Sequence, residues 1–96
     1  MDILLSEIRK LTAVKVGILM AVDAAESTER VSTIVEQSEY PRPTVLRNMK
    51  NMEIDGWIQS IQEQEEDVLI TLTGTGKNLV ELIEFQKKNW MGLRTR

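Results

Sequence analysis

A chain of 96 residues with 42% hydrophobic and 28% charged side chains suits one soluble globular domain, since chains this short rarely form two cores. It contains no cysteine and no histidine, so disulfides and thiol ligands are excluded and the commonest metal ligand and general base are missing. Its formal charge of −3 speaks against an architectural DNA-binding protein, which is usually strongly basic. We therefore expect a single domain, residues 1–96, without a cofactor, a bound metal or catalytic activity.

The first predicted element is one continuous helix from Asp2 to about Ala25. Its apolar residues recur at the spacing of a helical stripe, which consists of Leu4, Ile8, Leu11, Ile18 and Val22. Polar residues typical of a loop follow over 23–31, and Ser32 is expected to cap a short helix from Thr33 to about Ser38. The longest apolar run, residues 16–22, is too short to cross a bilayer, and no signal-peptide pattern opens the chain. We therefore expect a cytoplasmic location.

A second helix follows the short one after a break at Pro41, because proline ends a helix and restricts the residue before it. Pro43 falls in the first turn of this second helix, where proline is tolerated. The helix is expected to run from about residue 42 to Asp55, and Gly56 takes the position just after its end. Its buried face, spaced i, i+4, i+7, consists of Val45, Met49 and Met52.

Two stretches rich in strand-forming residues come next, at 57–62 and 68–72. The charged segment 63–67 between them predicts a β-hairpin, and Trp57 at its start is expected to pack in the core. Neighbouring carboxylates on a hairpin face opposite sides, so we interpret this segment as a solvated tip and not as a metal site. Thr73 is expected to cap a last helix from Gly74 to about Trp90.

Two sequence motifs lie in the second helix and at the start of the last one. The first is Pro41-Arg42-Pro43-Thr44-Val45-Leu46-Arg47, followed further along by Glu53-Ile54-Asp55-Gly56-Trp57-Ile58, and it resembles the pattern of bacterial and archaeal winged helix-turn-helix regulators. The second, Leu72-Thr73-Gly74-Thr75-Gly76-Lys77, is similar to the strand-to-helix junction of MarR-like and PadR-like regulators. The resemblance implies a winged helix-turn-helix, which is a mainly α fold with a small β-hairpin (α+β), the hairpin being its wing. The chain departs from the pattern at Glu39, where the turn often has glycine, and in its acidic hairpin tip.

The resemblance also implies sequence-selective binding of double-stranded DNA by a transcription regulator, with the helix at about 42–55 in the major groove. The charge distribution favours this helix, because residues 40–52 carry three bases and no acid, whereas residues 53–72 carry six acids and no base. The candidate DNA-binding residues are Arg42, Thr44, Arg47, Asn48, Lys50 and Asn51. Arg47 suits guanine and either asparagine suits adenine, while the other three suit phosphate.

The first and last helices carry more apolar side chains than a domain of this size can bury, so we expect a homodimer to cover them. The candidate interface residues are Leu5, Leu11, Leu79, Leu82, Ile83 and Trp90. An alternative from another functional class is a winged-helix module for protein–protein interaction, which would dock through the acidic hairpin tip or the terminal helices. The operator sequence, any effector ligand and the direction of regulation stay open.

Overall fold

The computed structural model describes residues 6–64 and 67–94, and the side chains of residues 6–62 and 68–88. A short helical segment at 6–8 comes first. The elements that follow are α1 (Ala13–Ala24), β1 (Thr28–Arg30), α2 (Val31–Gln37), α3 (Arg42–Ile54), β2 (Ile58–Gln64), β3 (Asp67–Leu72) and α4 (Gly74–Arg94). The architecture is mainly helical with one small antiparallel sheet, which confirms the expected fold class.

The predicted first helix is wrong in its continuity, because the chain leaves the helical conformation at residues 9–12 and α1 begins only at Ala13. Thr12 stands at the N-cap with an extended backbone, and its hydroxyl accepts a hydrogen bond of 3.3 Å from the Lys15 N–H. Such a local cap satisfies an N–H group that a continuous helix would bond elsewhere, and so it competes with continuation. Ile18 and Val22 are buried as the stripe predicted, whereas Leu4 lies outside the described residues.

Strand β1 occupies the segment that we expected to be a loop. It pairs antiparallel with β3, from Thr28 opposite Thr71 to Arg30 opposite Leu69, and the sheet order is β1-β3-β2. Helix α2 follows β1 directly and begins at Val31 with no capping hydrogen bond from an N-cap side chain. Ser32 therefore lies inside the first turn of α2, and the prediction that it caps this helix is wrong.

Helix α3 matches the prediction closely. Its three expected inward residues are buried, and Gly56 follows it with φ of +81°, the left-handed conformation that glycine adopts readily. Trp57 comes next and is fully buried, as expected. The core around it joins α1, α3, the sheet and α4 and includes Leu19, Val22, Val45, Met52, Ile58 and Leu79.

The hairpin of β2 and β3 leads into α4 through the junction that carries the second motif. Both strands extend further than predicted, and their register shifts between Gln62 and Gln64. The Thr73 hydroxyl accepts a hydrogen bond of 3.1 Å from the Gly76 N–H, which confirms Thr73 as the cap of α4. The Thr73 N–H donates to the Trp57 carbonyl at 3.1 Å, so the same residue joins the start of α4 to the start of the hairpin. These hydrogen bonds of Thr73 give the second motif, residues 72–77, a structural role at the junction of the hairpin and α4.

Candidate nucleic-acid interface

Helix α3 has one buried side and one exposed side. Successive residues rotate by about 100° around a helix, so Arg47 and Asn51 stand opposite the buried stripe, with Lys50 beside them. All three side chains are exposed. The exposed side of α3 therefore presents a guanidinium, an amide and an ammonium group, which are the groups that recognise base edges and phosphates.

The N-terminus of α3 adds backbone donors to this side. Pro41 stands at the N-cap position, and its side chain makes no hydrogen bond to the first turn. Pro43 has no N–H, so the donors of the first turn are the backbone N–H groups of Arg42 and Thr44. The Arg42 side chain is exposed and the Thr44 side chain is half-buried. The positive end of the helix dipole lies here as well, and it favours an anion such as a phosphate.

The two candidate asparagines differ in what holds them. The Asn48 side-chain amide is half-buried and donates a hydrogen bond of 2.8 Å to the Thr44 carbonyl one turn earlier in α3. This bond orients the Asn48 amide along its own helix. Asn51 is exposed on the side opposite the core, so it is the better placed of the two to hydrogen-bond an adenine.

The two acids at the end of α3 are engaged by other parts of the chain. The Glu53 carboxylate accepts hydrogen bonds from Ser60 on β2, at 3.1 Å from its N–H and 2.5 Å from its hydroxyl. The Asp55 carboxylate lies 3.4 Å from the Lys10 ammonium. The Lys10 ammonium thus offsets the charge of Asp55, whereas the neutral Ser60 orients the Glu53 carboxylate toward β2 and leaves its negative charge beside the cations of α3.

A polar cluster ties residues 7–15 to the end of α3 and the start of β2. The indole N–H of Trp57 donates a hydrogen bond to the Glu7 carboxylate, and the Lys15 ammonium lies 5.5 Å from the centre of the Trp57 ring. The hydrogen bond and charge of Asp55, together with the charge of Glu7, raise the pKa of Lys10 above its ordinary value of 10.5. Sequence reasoning missed this cluster because its partners are about fifty positions apart and share no motif.

A groove of about 400 Å³ lies between α3 and the sheet. Its lining includes the two cations Arg42 and Lys50 and the acid Glu53, and most of the remaining lining is apolar, including Leu46, Met49, Val68 and Ile70. The groove therefore brings two of the candidate DNA-binding cations to the side of α3 that faces the hairpin. A ligand that contacts both α3 and the hairpin would meet these cations between them.

The fold agrees with that of several solved structures, although no protein-family model and no curated protein matches the chain. The ligand-free form of the organohalide-sensing transcriptional regulator RdhR is 17% identical, with a TM-score of 0.76 over 88% of this chain and 52% of its own. A mutant of MarR from E. coli, complexed with operator DNA, is 17% identical, with a TM-score of 0.69 over 79% of this chain and 55% of its own. TubR from Bacillus megaterium pBM400 is 23% identical, with a TM-score of 0.76 over 84% of this chain and 94% of its own.

This chain has the winged helix-turn-helix fold of MarR-like regulators. It spans about half the length of the first two proteins named, and nearly the whole length of TubR. Helices α2 and α3 form the helix-turn-helix, and β2 with β3 forms the wing. None of the described helices is long and apolar enough to span a membrane.

The wing places its base beside α3. Gln62 is exposed near the end of the described part of β2, whereas the side chains of the acidic tip, residues 63–67, lie outside the described ones. Within the part of the chain that the structure describes, no three acidic side chains come together as a metal site. The interpretation of the tip as a solvated segment stays a prediction.

The residues that we predicted for the dimer interface lie in different environments. Leu79 is 0% exposed within the single chain, so its side chain belongs to the core and is not available to a partner, contrary to our assignment. Leu11 and Ile83 are half-buried and pack against the core, and Leu82 is also half-buried. Leu5 and the Trp90 side chain lie outside the described part. The apolar stripe of α4 that contains Leu79 and Ile83 thus packs against the core, and we had assigned it to an external surface.

Among the described side chains of α4, which end at residue 88, Phe85 is an exposed apolar residue that the interface assignment left out. Its side chain is 60% exposed, on the side of the helix that faces away from the core. The sequence signal for it was its position, since Phe85 falls off the stripe that contains Leu79 and Ile83.

Proposed function

We propose that the protein is a transcription regulator that binds double-stranded DNA sequence-selectively as a homodimer, with α3 in the major groove. The observation that carries this proposal is the exposed side of α3, which gathers cationic and amide groups, while the charge of Asp55 is offset by Lys10. Transcriptional regulators, one of them complexed with operator DNA, share the fold. The protein then acts on DNA in the cytoplasm, without catalysis.

The contacts divide into two kinds, because phosphate contacts position a protein on DNA while base contacts specify the sequence. Arg47 and Asn51 are exposed on the outer side of α3 and are assigned to base edges, guanine for the first and adenine for the second. Arg42 and Lys50 are assigned to phosphates on either side, where the backbone N–H of Thr44 adds a donor. Asn48 then supports α3 through its bond to the Thr44 carbonyl.

The charge of the chain supports the homodimer. A single copy with a formal charge of −3 brings one α3, with its short basic segment at 40–52, to DNA, and repulsion from the acidic remainder opposes binding. Two copies related by a two-fold axis double the number of basic segments that reach DNA. Their recognition helices would stand ~34 Å apart, one turn of the duplex, and would bind two half-sites of inverted sequence.

The test is a selection from random duplex DNA with the purified chain, followed by binding measurements on the recovered sequence. We expect a palindromic consensus. Arg47→Ala should weaken binding by ~1–3 kcal/mol and relax the preference at one base pair, while Lys50→Ala should weaken binding to all sequences alike.

Two exposed cations outside α3 supply matched controls. Arg9→Ala and Lys87→Ala remove the same kinds of charge from other surfaces and should leave the sequence preference unchanged. If Arg47→Ala and Lys50→Ala bind DNA as tightly as the unmodified chain, the assigned side of α3 is wrong. If no sequence is enriched at all, the protein-interaction module becomes the better interpretation of the fold.

A further inference from the structure

Helix α3 ends in an exposed isoleucine that the contacts proposed above do not use. Ile54 is the last residue of α3 and is 73% exposed. Single exposed apolar side chains are common, so the position of Ile54 is more informative than its exposure. It follows Arg47 by seven residues, nearly two full turns, and therefore lies on the same outer side of α3 as Arg47 and Asn51.

The end of α3 is unsuited to a phosphate group. The last carbonyl groups of a helix carry the negative end of its dipole, which repels an anion. Glu53 and Asp55 flank Ile54 in sequence and add two carboxylates, and the Lys10 ammonium, 3.4 Å from Asp55, offsets one of these charges. A DNA surface that meets Ile54 must therefore be uncharged, and in the major groove such a surface is the edge of a base.

Among the four bases, thymine presents an apolar group in the major groove. Its 5-methyl group is complementary to an aliphatic side chain, whereas the edges of adenine, guanine and cytosine present hydrogen-bond donors and acceptors instead. An isoleucine placed over one of those polar edges would displace water without replacing its hydrogen bonds, which costs free energy. Attraction to the methyl group and exclusion of the polar edges thus select the same base.

We propose that Ile54 is a specificity-determining residue that contacts the 5-methyl group of a thymine in each half-site. The proposal rests on the proposed DNA binding by α3 and adds a base that no hydrogen-bonding side chain selects. Ile54 lies ~10 Å beyond Arg47 along the axis of α3, and ~4.5 Å beyond Asn51. Base pairs stack ~3.4 Å apart, so the thymine lies within about three base pairs of the guanine assigned to Arg47.

Removal of the methyl group from the DNA tests this contact with the protein unchanged. Deoxyuridine replaces thymidine at each position of the selected sequence in turn, and fluorescence anisotropy gives the affinity of the full chain. Uracil keeps every hydrogen-bonding group of thymine and lacks only the methyl group. We expect one position in each half-site at which the replacement weakens binding roughly fourfold, which is about the value of one buried methyl group.

A variant of the protein assigns the methyl contact to Ile54. Ile54→Ala should bind the thymine and uracil sequences equally, because the shortened side chain no longer reaches the methyl group. Leu46→Ala is the matched control, since it removes another exposed aliphatic side chain from α3, on the side that faces the hairpin, and it should keep the fourfold preference. Circular dichroism should show both variants folded. A preference for thymine that persists in Ile54→Ala overturns the proposal, as does equal weakening on both sequences.

Methylated cytosine separates the methyl contact from changes in the stiffness of the duplex. With a C·G pair at the thymine position, 5-methylation of the cytosine places a methyl group in the same part of the major groove. This methylation should strengthen binding of the unmodified chain roughly fourfold and leave the affinity of Ile54→Ala unchanged. If cytosine methylation has no effect on the unmodified chain, the loss with uracil comes from the DNA itself and the proposed contact is wrong.

The function and this inference fail in different ways. If the selection enriches a sequence but no replacement of thymine by uracil weakens binding, the assignment of Ile54 is wrong and the DNA-binding function stands. If the selection enriches no sequence, the proposed function is wrong, and the contact between Ile54 and thymine is wrong with it.

Discussion

Gly76 lies where the first turn of α4 passes the carbonyl group of Trp57. A Cβ atom at this position would be 2.1 Å from the Trp57 carbonyl oxygen and 3.3 Å from a methyl carbon of Leu72. Real Cβ atoms keep at least 3.0 Å from such neighbours, so α4 and the Trp57 backbone would have to separate by about 0.9 Å, from 2.1 to 3.0 Å. That shift would stretch the 3.1 Å hydrogen bond between the Thr73 N–H and the Trp57 carbonyl.

The cost of Gly76→Ala follows from these contacts. Forcing a methyl group into a filled space costs about 1–3 kcal/mol, and weakening one hydrogen bond costs about 1 kcal/mol. Alanine gains up to about 1 kcal/mol over glycine within a helix. The free energy of unfolding should therefore fall by about 2 kcal/mol, which lowers the melting temperature of a domain this size by about 8–16 °C.

Gly74→Ala is the matched control, because Gly74 belongs to the same helical turn and a Cβ there would meet nothing within 4 Å. This variant should be neutral or more stable by up to about 1 kcal/mol. Urea unfolding of both variants, followed by circular dichroism, gives the two free energies directly. Equal stability of the two variants would refute the argument from close approach.

Two further predictions concern a strained turn and the tip of the wing. Glu26 is exposed and has a φ of +60°, a left-handed conformation that strains a non-glycine backbone. Glu26→Gly should therefore raise the free energy of unfolding, measured in urea, by up to about 1 kcal/mol. A less stable variant would show that the backbone at Glu26 is not strained. Changing Glu63, Glu65 and Glu66 to glutamine should strengthen DNA binding, most visibly at low salt, because three negative charges near phosphate are removed. Weaker binding would instead indicate that the tip docks on a protein or holds a cation.

The parts of the fold that the sequence predicted are those in which local signals agree with one another. In α3, the period of the apolar residues, the proline in its first turn and Gly56 after its end all indicate the same helix. Thr73 likewise combines a capping hydroxyl with a following helical pattern. Where periodicity, capping and turn residues coincide, the backbone has little choice of conformation.

The parts that the sequence did not predict depend on partners that are distant in the chain. Strand β1 consists of three polar residues, so its sequence has no alternation of apolar and polar side chains, and the strand forms because it pairs with β3. The division of α4 into a buried and an exposed side depends on where the core lies, so Leu79 was assigned to the wrong side and Phe85 was left out of the assignment. Asn48 illustrates the same limit in the candidate site, because its bond to the Thr44 carbonyl is a choice of rotamer.

The hydrogen bonds from Ser60 to Glu53 bear on the shape of the proposed DNA-binding surface. They join β2 to α3, so the base of the wing and α3 are tied together before any ligand arrives. Most of the conformational entropy of arranging these two elements is then lost during folding and not during association. If α3 enters the major groove as proposed, a duplex whose grooves match this spacing would bind without reshaping the protein, while any other duplex would itself have to deform. Differences in DNA stiffness would then appear as differences in affinity, even at base pairs that no side chain touches.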